Sequence, residues 1–279
     1  MLMSIVGTGS SLENGLARTP PMGWMSWAKF FCATICYPPS DHCVSERLYR
    51  DMADRIVADG FLQAGYNRIH IDDCWMERSR SSDGELEADH RRFPSGIKNL
   101  AKYMHDRNLQ LGIYADFGTE TCMGFPGSIN RLEQDARTFA SWDVDYLKFD
   151  GCHSLLEQME EGYARMGRYL NATGRPIIFS CSYPYYFSGL NFKLDWAATT
   201  RTCNLWRFYT DIRGSWDSIA SIIQFVDDHQ DLLAAAQRPG AWNDMDMIVA
   251  GIGSITPDQA KVQMTLWSVL SEPQPSAAT

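Results

Sequence analysis

The chain has 279 residues, with 25 Lys and Arg against 34 Asp and Glu, giving a formal net charge of −9. Its 45% hydrophobic and 21% charged residues sit near globular averages, which excludes wholesale disorder and a coiled coil. No run approaches the ~18 unbroken apolar residues of a membrane span, and an acidic chain without basic runs is unsuited to nucleic acid or anionic lipid.

Residues 1–11 form an atypical N-terminal segment, and the first ten (MLMSIVGTGS) have neither the basic nor the long apolar stretch of a secretory leader. From there the chain alternates short β-rich runs with stretches of helical period. A strand is predicted over 22–27 and a helix over 46–59. The strand 66–71 runs into Asp72-Asp73, a helix follows over 97–107, and the strand 109–114 runs into Asp116. A helix over 128–141 precedes the strand 144–149, which runs into Asp150, and a helix over 155–170 precedes the strand 176–179. Then come a strand over 197–203, a helix over 215–229, a strand near 241–244 and a helix over 257–270.

Such alternation indicates βαβ units and a parallel sheet. Carboxylates at strand ends all along the chain favour a TIM (β/α)8-type barrel, whose C-terminal face gathers side chains from several strands. An open doubly wound sheet would concentrate its site at one Gly-rich switch point, and Gly7-x-Gly9 follows no strand. The expected organisation is a barrel domain over 12–270 and an unstructured tail over 271–279. The count reaches seven strands. The tail SEPQPSAAT has two prolines and no apolar residue larger than alanine, so it is not expected to supply the eighth.

Strand-end carboxylates suit sugar hydroxyls, since each accepts two hydrogen bonds and can fix stereochemistry. Trp24, Trp27, Trp75, Tyr114, Tyr183, Tyr185, Tyr186 and Trp206 supply faces for a sugar ring. Taken singly, a strand-end Asp is as readily a helix cap and an aromatic ring a core residue; several together carry the argument. In Lys148-Phe149-Asp150-Gly151-Cys152 the cation and Asp150 share a strand face, either as a plain ion pair or as a held-ionised nucleophile. Arg207 and Asp211, four apart, either pair on a helical turn or make Asp211 a general acid. The metal alternative, Asp244-Met245-Asp246 with Asp72-Asp73, lacks the phosphate loop or basic cluster that a sugar-nucleotide transferase needs.

The eight cysteines, Cys32, Cys36, Cys43, Cys74, Cys122, Cys152, Cys181 and Cys203, favour complete pairing by their even number, although 105 connectivities are open. Free thiols in a cytosolic enzyme are the alternative; zinc spacing is absent. One glycosylation triplet, Asn171-Ala172-Thr173, favours the secretory route.

From Leu12 to about Leu270 the chain resembles glycoside hydrolase family 27, the α-galactosidases and α-N-acetylgalactosaminidases. The motifs are Thr19-Pro20-Pro21-Met22-Gly23-Trp24-x-x-Trp27, Ile71-Asp72-Asp73-Cys74-Trp75, Leu111-Gly112-Ile113-Tyr114-Ala115-Asp116 and Leu147-Lys148-Phe149-Asp150-Gly151-Cys152. Ser180-Cys181-Ser182, Cys203-Asn204-Leu205-Trp206-Arg207 and Trp242-Asn243-Asp244-x-Asp246 complete the series. The resemblance implies a retaining exo-glycosidase acting on terminal α-N-acetylgalactosamine or α-galactose, with Asp150 as nucleophile and Asp211 as acid/base. It implies Asp72, Asp73, Lys148 and Arg207 on the sugar hydroxyls, Trp27 and Tyr114 lining the pocket, and no metal or organic cofactor. Ser182, Tyr185 and Tyr186 fall in the specificity segment: a small Ser182 matches the N-acetylgalactosaminidases, whereas Tyr185 stands where they carry Ala. The implied bridges are Cys32–Cys74, Cys36–Cys43, Cys122–Cys152 and Cys181–Cys203. A lysosomal or secreted address and a carbohydrate substrate follow from the same resemblance, which is compatible with a homodimer; glycosylation at Asn171 is expected from its triplet. The family continues with an eighth strand and an antiparallel β domain, so the second expectation is a truncated form without hydrolase activity, at best a sugar-binding protein.

Overall fold

The computed structural model describes residues 14–36, 43–190, 193–270 and 274–276; the expected segment 1–11 and most of the tail lie outside these. The strands are β1 (Met22–Met25), β2 (Arg68–His70), β3 (Gln110–Asp116), β4 (Tyr146–Asp150), β5 (Ile178–Cys181), β6 (Leu205–Arg207), β7 (Trp242–Asp244) and β8 (Gln274–Ser276). All pair in parallel, in the sheet order β7-β6-β5-β4-β3-β2-β1-β8. Consecutive parallel neighbours joined by helices are the barrel arrangement.

The helices are α1 (Trp27–Phe30), α2 (Glu46–Ala58), α3 (Gly96–His105), α4 (Leu132–Ser141), α5 (Leu156–Ala172), α6 (Tyr183–Tyr186), α7 (Trp196–Thr202), α8 (Trp216–Asp228), α9 (Gln230–Ala236) and α10 (Pro257–Val269). Local chemistry starts several of them. Ser45, Ser215 and Asp195 accept the N–H three residues on, and Thr256 with Gln259 forms a reciprocal capping box ahead of Pro257. In α5, Met159, Tyr163, Met166 and Leu170 are buried on one stripe, at about 1.5–3 kcal/mol for each large apolar side chain. The Tyr163 hydroxyl donates to the Phe149 carbonyl (2.9 Å), tying that helix to β4 one residue before Asp150. β3 is buried on both faces over six of its seven residues, as a parallel strand covered by helices must be.

At the N-terminal mouth, Tyr146, Ile178, Leu205 and Trp242 form a small cluster closed by Leu16 and Ala17. The Trp242 indole donates to the Ala17 carbonyl (2.6 Å). Leu16 and Ala17 thus cover this cluster, and the strand C-termini are left to carry a site.

One expectation is corrected. Of residues 197–203, expected as a strand, 197–202 lie in α7 (Trp196–Thr202) with Cys203 as its extended C-cap, and the strand follows at β6. Asp195 caps the segment through Ala198 N, and the Thr199 and Thr200 hydroxyls bond back to the carbonyls of Asp195 and Ala197; a cap and satisfied hydroxyls override β-branched propensity. At the other edge of the sheet, β8 pairs with β1 in the register Met22↔Gln274, Gly23↔Pro275, Trp24↔Ser276. An edge strand has only one ladder to fill, so a proline whose nitrogen faces away costs no bond there. Among the described residues β8 does not pair with β7, so these three residues line one edge without closing the ring.

Candidate active site

The C-terminal ends of the strands converge on a cavity of about 270 Å³ lined by Trp27, Asp72, Asp73, Tyr114, Lys148, Asp150, Ser182, Tyr185, Tyr186, Arg207 and Asp211. All eleven residues expected to bind or transform a sugar are brought together. Cys122 and Cys152 line it as well. Trp27 follows β1, Asp72 and Asp73 follow β2, and Tyr114 and Asp116 belong to β3. Lys148 and Asp150 lie on β4, Ser182 follows β5, Arg207 ends β6, and Asp211 lies four residues beyond.

Asp150 is held from both sides. The Tyr186 hydroxyl donates to its Oδ1 (2.8 Å), the Gly151 N–H to the same oxygen (3.0 Å), and the Tyr114 hydroxyl to Oδ2 (3.1 Å). Burial, and then the charge of Asp150, push both phenols above their ordinary pKa, so both remain donors at any working pH.

Lys148 does not pair with Asp150; its ammonium lies 2.7 Å from Asp72 Oδ2, with 13% and 2% of the two side chains exposed. Burial works against the Lys148 charge, but Asp72, then Asp150, Asp246 and Asp211 hold its pKa above the ordinary value. Burial raises the Asp72 pKa against the pull of Lys148; with the ammonium secured, the pair is an ionised one. Asp73 is pushed up to about 6 by burial, although the Cys74 and Met123 N–H groups (2.6 and 3.1 Å) donate to it.

Across the cavity, Arg207 Nη2 reaches Asp211 Oδ1 (3.1 Å) and Asp246 Oδ2 (3.0 Å). Asp246 also accepts from the Ile212 N–H (2.8 Å), fixing the loop that carries Asp211. The Asp211 side chain is 67% exposed. What burial it has favours the neutral acid, but Arg207 and Lys148 outweigh this and hold its pKa below the ordinary range. Asp244 accepts from the Asp246 N–H (2.8 Å), so the D-x-D carboxyls are engaged by backbone and Arg207.

The left-handed backbone of Cys74 and Asp246, both at φ 74°, is strained for residues bearing a Cβ, at about 1–3 kcal/mol each. Both positions adjoin the carboxylates of the pocket. The four bridges form as the resemblance implied: Cys32–Cys74, Cys36–Cys43, Cys122–Cys152 and Cys181–Cys203. The first braces the turn after Asp73, the third flanks Asp150, and the fourth ties the end of β5 to the start of β6. Asn171 is exposed in the last turn of α5.

Two functional positions went unassigned in the sequence. Asp246 anchors Arg207, and Asp116 is buried beside Asp150; only their place at strand ends hinted at either.

Known proteins share sequence and fold with this chain. A family model described as Alpha galactosidase A matches residues 19–276. The chain is 49% identical to the α-N-acetylgalactosaminidase of Gallus gallus over 263 residues, 94% of this chain and 65% of that protein. It is 46% identical to α-galactosidase A of Homo sapiens over 264 residues, 94% of this chain and 61% of that one. The α-galactosidase of Saccharomyces cerevisiae solved with raffinose superposes with a TM-score of 0.83 at 31% identity, over 97% of this chain and 61% of that chain. The chain thus spans about two thirds or less of the length of these relatives.

Proposed function

Since the chain belongs to the alpha galactosidase A family, we propose that it is a retaining exo-glycosidase that removes terminal α-linked N-acetylgalactosamine or galactose by double displacement. The observation that carries this reading is the single cavity into which Asp150, Asp211, Asp72, Lys148 and Arg207 all open. Its size suits one sugar ring at a chain end.

Asp150 attacks the anomeric carbon and forms a glycosyl ester while Asp211 protonates the departing oxygen. Asp211 then takes a proton from water, which attacks the same carbon and frees Asp150. Retention requires carboxyls about 5–5.5 Å apart across that carbon. The Asp72–Lys148 pair and Arg207 present fixed donors and acceptors to the ring hydroxyls, preorganised by neighbours rather than by solvent. Arg207 and Lys148 hold Asp211 below the ordinary carboxylate range, so it acquires its catalytic proton most readily in acid. An acidic, oxidising compartment fits this and the four bridges, and we assign a lysosomal or secreted address on that ground. Among the described residues no helix is long and apolar enough to cross a membrane.

Ser182 leaves room beside the sugar while Tyr185 narrows the same wall, and the acetamido sugar with some galactose activity is the preference we assign. A second reading, sugar binding without hydrolysis, draws on the edges of β7 and β8, which are unpaired among the described residues. The deciding experiment is turnover of p-nitrophenyl α-N-acetylgalactosaminide and α-galactoside by this chain. Release of nitrophenol from either supports the hydrolase; release from neither, by protein that unfolds cooperatively, supports the second reading.

A further inference from the structure

The chemistry above uses Asp150 and Asp211 and leaves a third carboxyl beside the nucleophile without a role. Asp116 ends β3 in direct register with Asp150, as Tyr114 does with Lys148 two residues earlier. Registered parallel neighbours project to one face, so the two carboxyls lie side by side above the phenol and the ammonium. Their oxygens come within 4.8 Å, yet the Asp116 side chain is fully shut from solvent (0%).

No cation among the described residues pairs with Asp116; the nearest candidate by register, Lys148, is committed to Asp72. Backbone donors satisfy it instead: the Gly118 N–H at 2.6 Å on Oδ1 and the Cys152 N–H at 3.0 Å on Oδ2. The loops after β3 and β4 are thereby stitched together through one side chain. They approach so closely that a Cβ on Gly118 would meet the Cys152 carbonyl at 1.8 Å. The Tyr114 hydroxyl stands between the acids, 3.1 Å from Asp150 Oδ2 and 3.5 Å from Asp116 Oδ2. It has one proton to give. Two carboxyls this close in a dry site do not both ionise readily; burial, and then Asp150, push Asp116 up to about 9. Through the neutral range Asp116 therefore keeps its proton, and the Tyr114 proton is left for Asp150.

Resting on the reading of Asp150 as nucleophile, we propose that Asp116 is a positioning residue: an uncharged acid that locks the Cys152 loop and directs the Tyr114 hydroxyl onto Asp150, fixing the rotation of the attacking carboxylate. Asp116 touches no substrate. It acts only through Asp150 and its loop.

The test compares Asp116→Ala and Asp116→Asn in the full chain, on whichever aryl glycoside the wild type turns over, with the free sugar as competitive inhibitor. Because a misplacement of about 1 Å costs on the order of 100-fold, the alanine variant is expected to lose roughly 100-fold in kcat while the inhibition constant moves less than about threefold. The asparagine variant carries no charge and keeps one acceptor and a donor towards Tyr114, so it recovers at least about tenfold of that loss. Wild-type kcat in the alanine variant overturns the assignment. So does an asparagine variant no better than alanine, which would mean the charged form is the working one. Parallel loss of kcat and sugar binding in both variants also overturns it, since that marks a role in folding alone. A wild-type chain that hydrolyses nothing contradicts the proposed function and this inference with it; the variant outcomes contradict only the inference.

Discussion

Single side chains divide the charge of this pocket unevenly, and the division has consequences for pH. Asp211 is paired with Arg207 and held below its ordinary pKa, whereas a general acid must carry its proton when substrate arrives. The profile of kcat/KM is therefore expected to peak on the acid side and to fall as pH rises towards neutrality; a plateau reaching neutral pH would contradict the acid role of Asp211. Tyr185 offers a second test. Its half-buried ring lines the cavity next to Ser182, so Tyr185→Ala should raise α-N-acetylgalactosaminide turnover relative to α-galactoside by about tenfold, the scale on which pocket shape discriminates. An unchanged ratio of kcat/KM for the two aryl glycosides would show that the ring does not touch the 2-substituent. At this scale the sequence was most informative, because motifs such as Lys148-Phe149-Asp150 fix both residue type and strand face. Asp116 and Asp246 were not assigned for a physical reason: an isolated strand-end Asp looks like a helix cap until its neighbours in space are known.

The elements hold the site through their ends rather than through their length. β5, β6 and β7 have only three or four residues each, and Cys181–Cys203 joins the first two across 22 residues. Replacing both cysteines by alanine should cost about 2–4 kcal/mol in chemical denaturation and lower kcat more than it raises KM, because Arg207 ends β6 and Asp211 follows it. Unchanged stability would mean that the ladder alone fixes these short strands. Strands with buried, alternating or continuous apolar runs, β2 through β5, were legible within a few residues. α7 was not, since Thr199 and Thr200 favour a strand until the Asp195 cap and the back-bonded hydroxyls are seen.

For the molecule as a whole, buried carboxyls set how stability responds to pH. Asp73 and Asp244 are both raised to about 6 by burial from an ordinary 3.8, and Asp116 to about 9. The folded state thus keeps protons that the unfolded chain releases, so this stabilisation is complete below about 3.8 and lost as pH rises through the folded values. The thermal midpoint is expected to fall as pH rises from about 4 to about 6, with a contribution on the order of 3 kcal/mol from Asp244 across that interval, and Asp244→Asn should flatten that slope. A midpoint that climbs over the same interval would contradict the burial argument. The barrel order was readable from the alternation of elements, and the open seam beyond β7 from a tail whose two prolines are unsuited to a closing strand. The central claim, that Asp150 forms a covalent bond to the sugar, is tested most directly by trapping. The chain is incubated with an activated fluorosugar of galacto configuration that glycosylates quickly and is released slowly, and its peptides are then weighed. The account predicts one added sugar on the peptide containing Asp150; a label on Asp211 or elsewhere, or none while aryl glycoside is still hydrolysed, would contradict it.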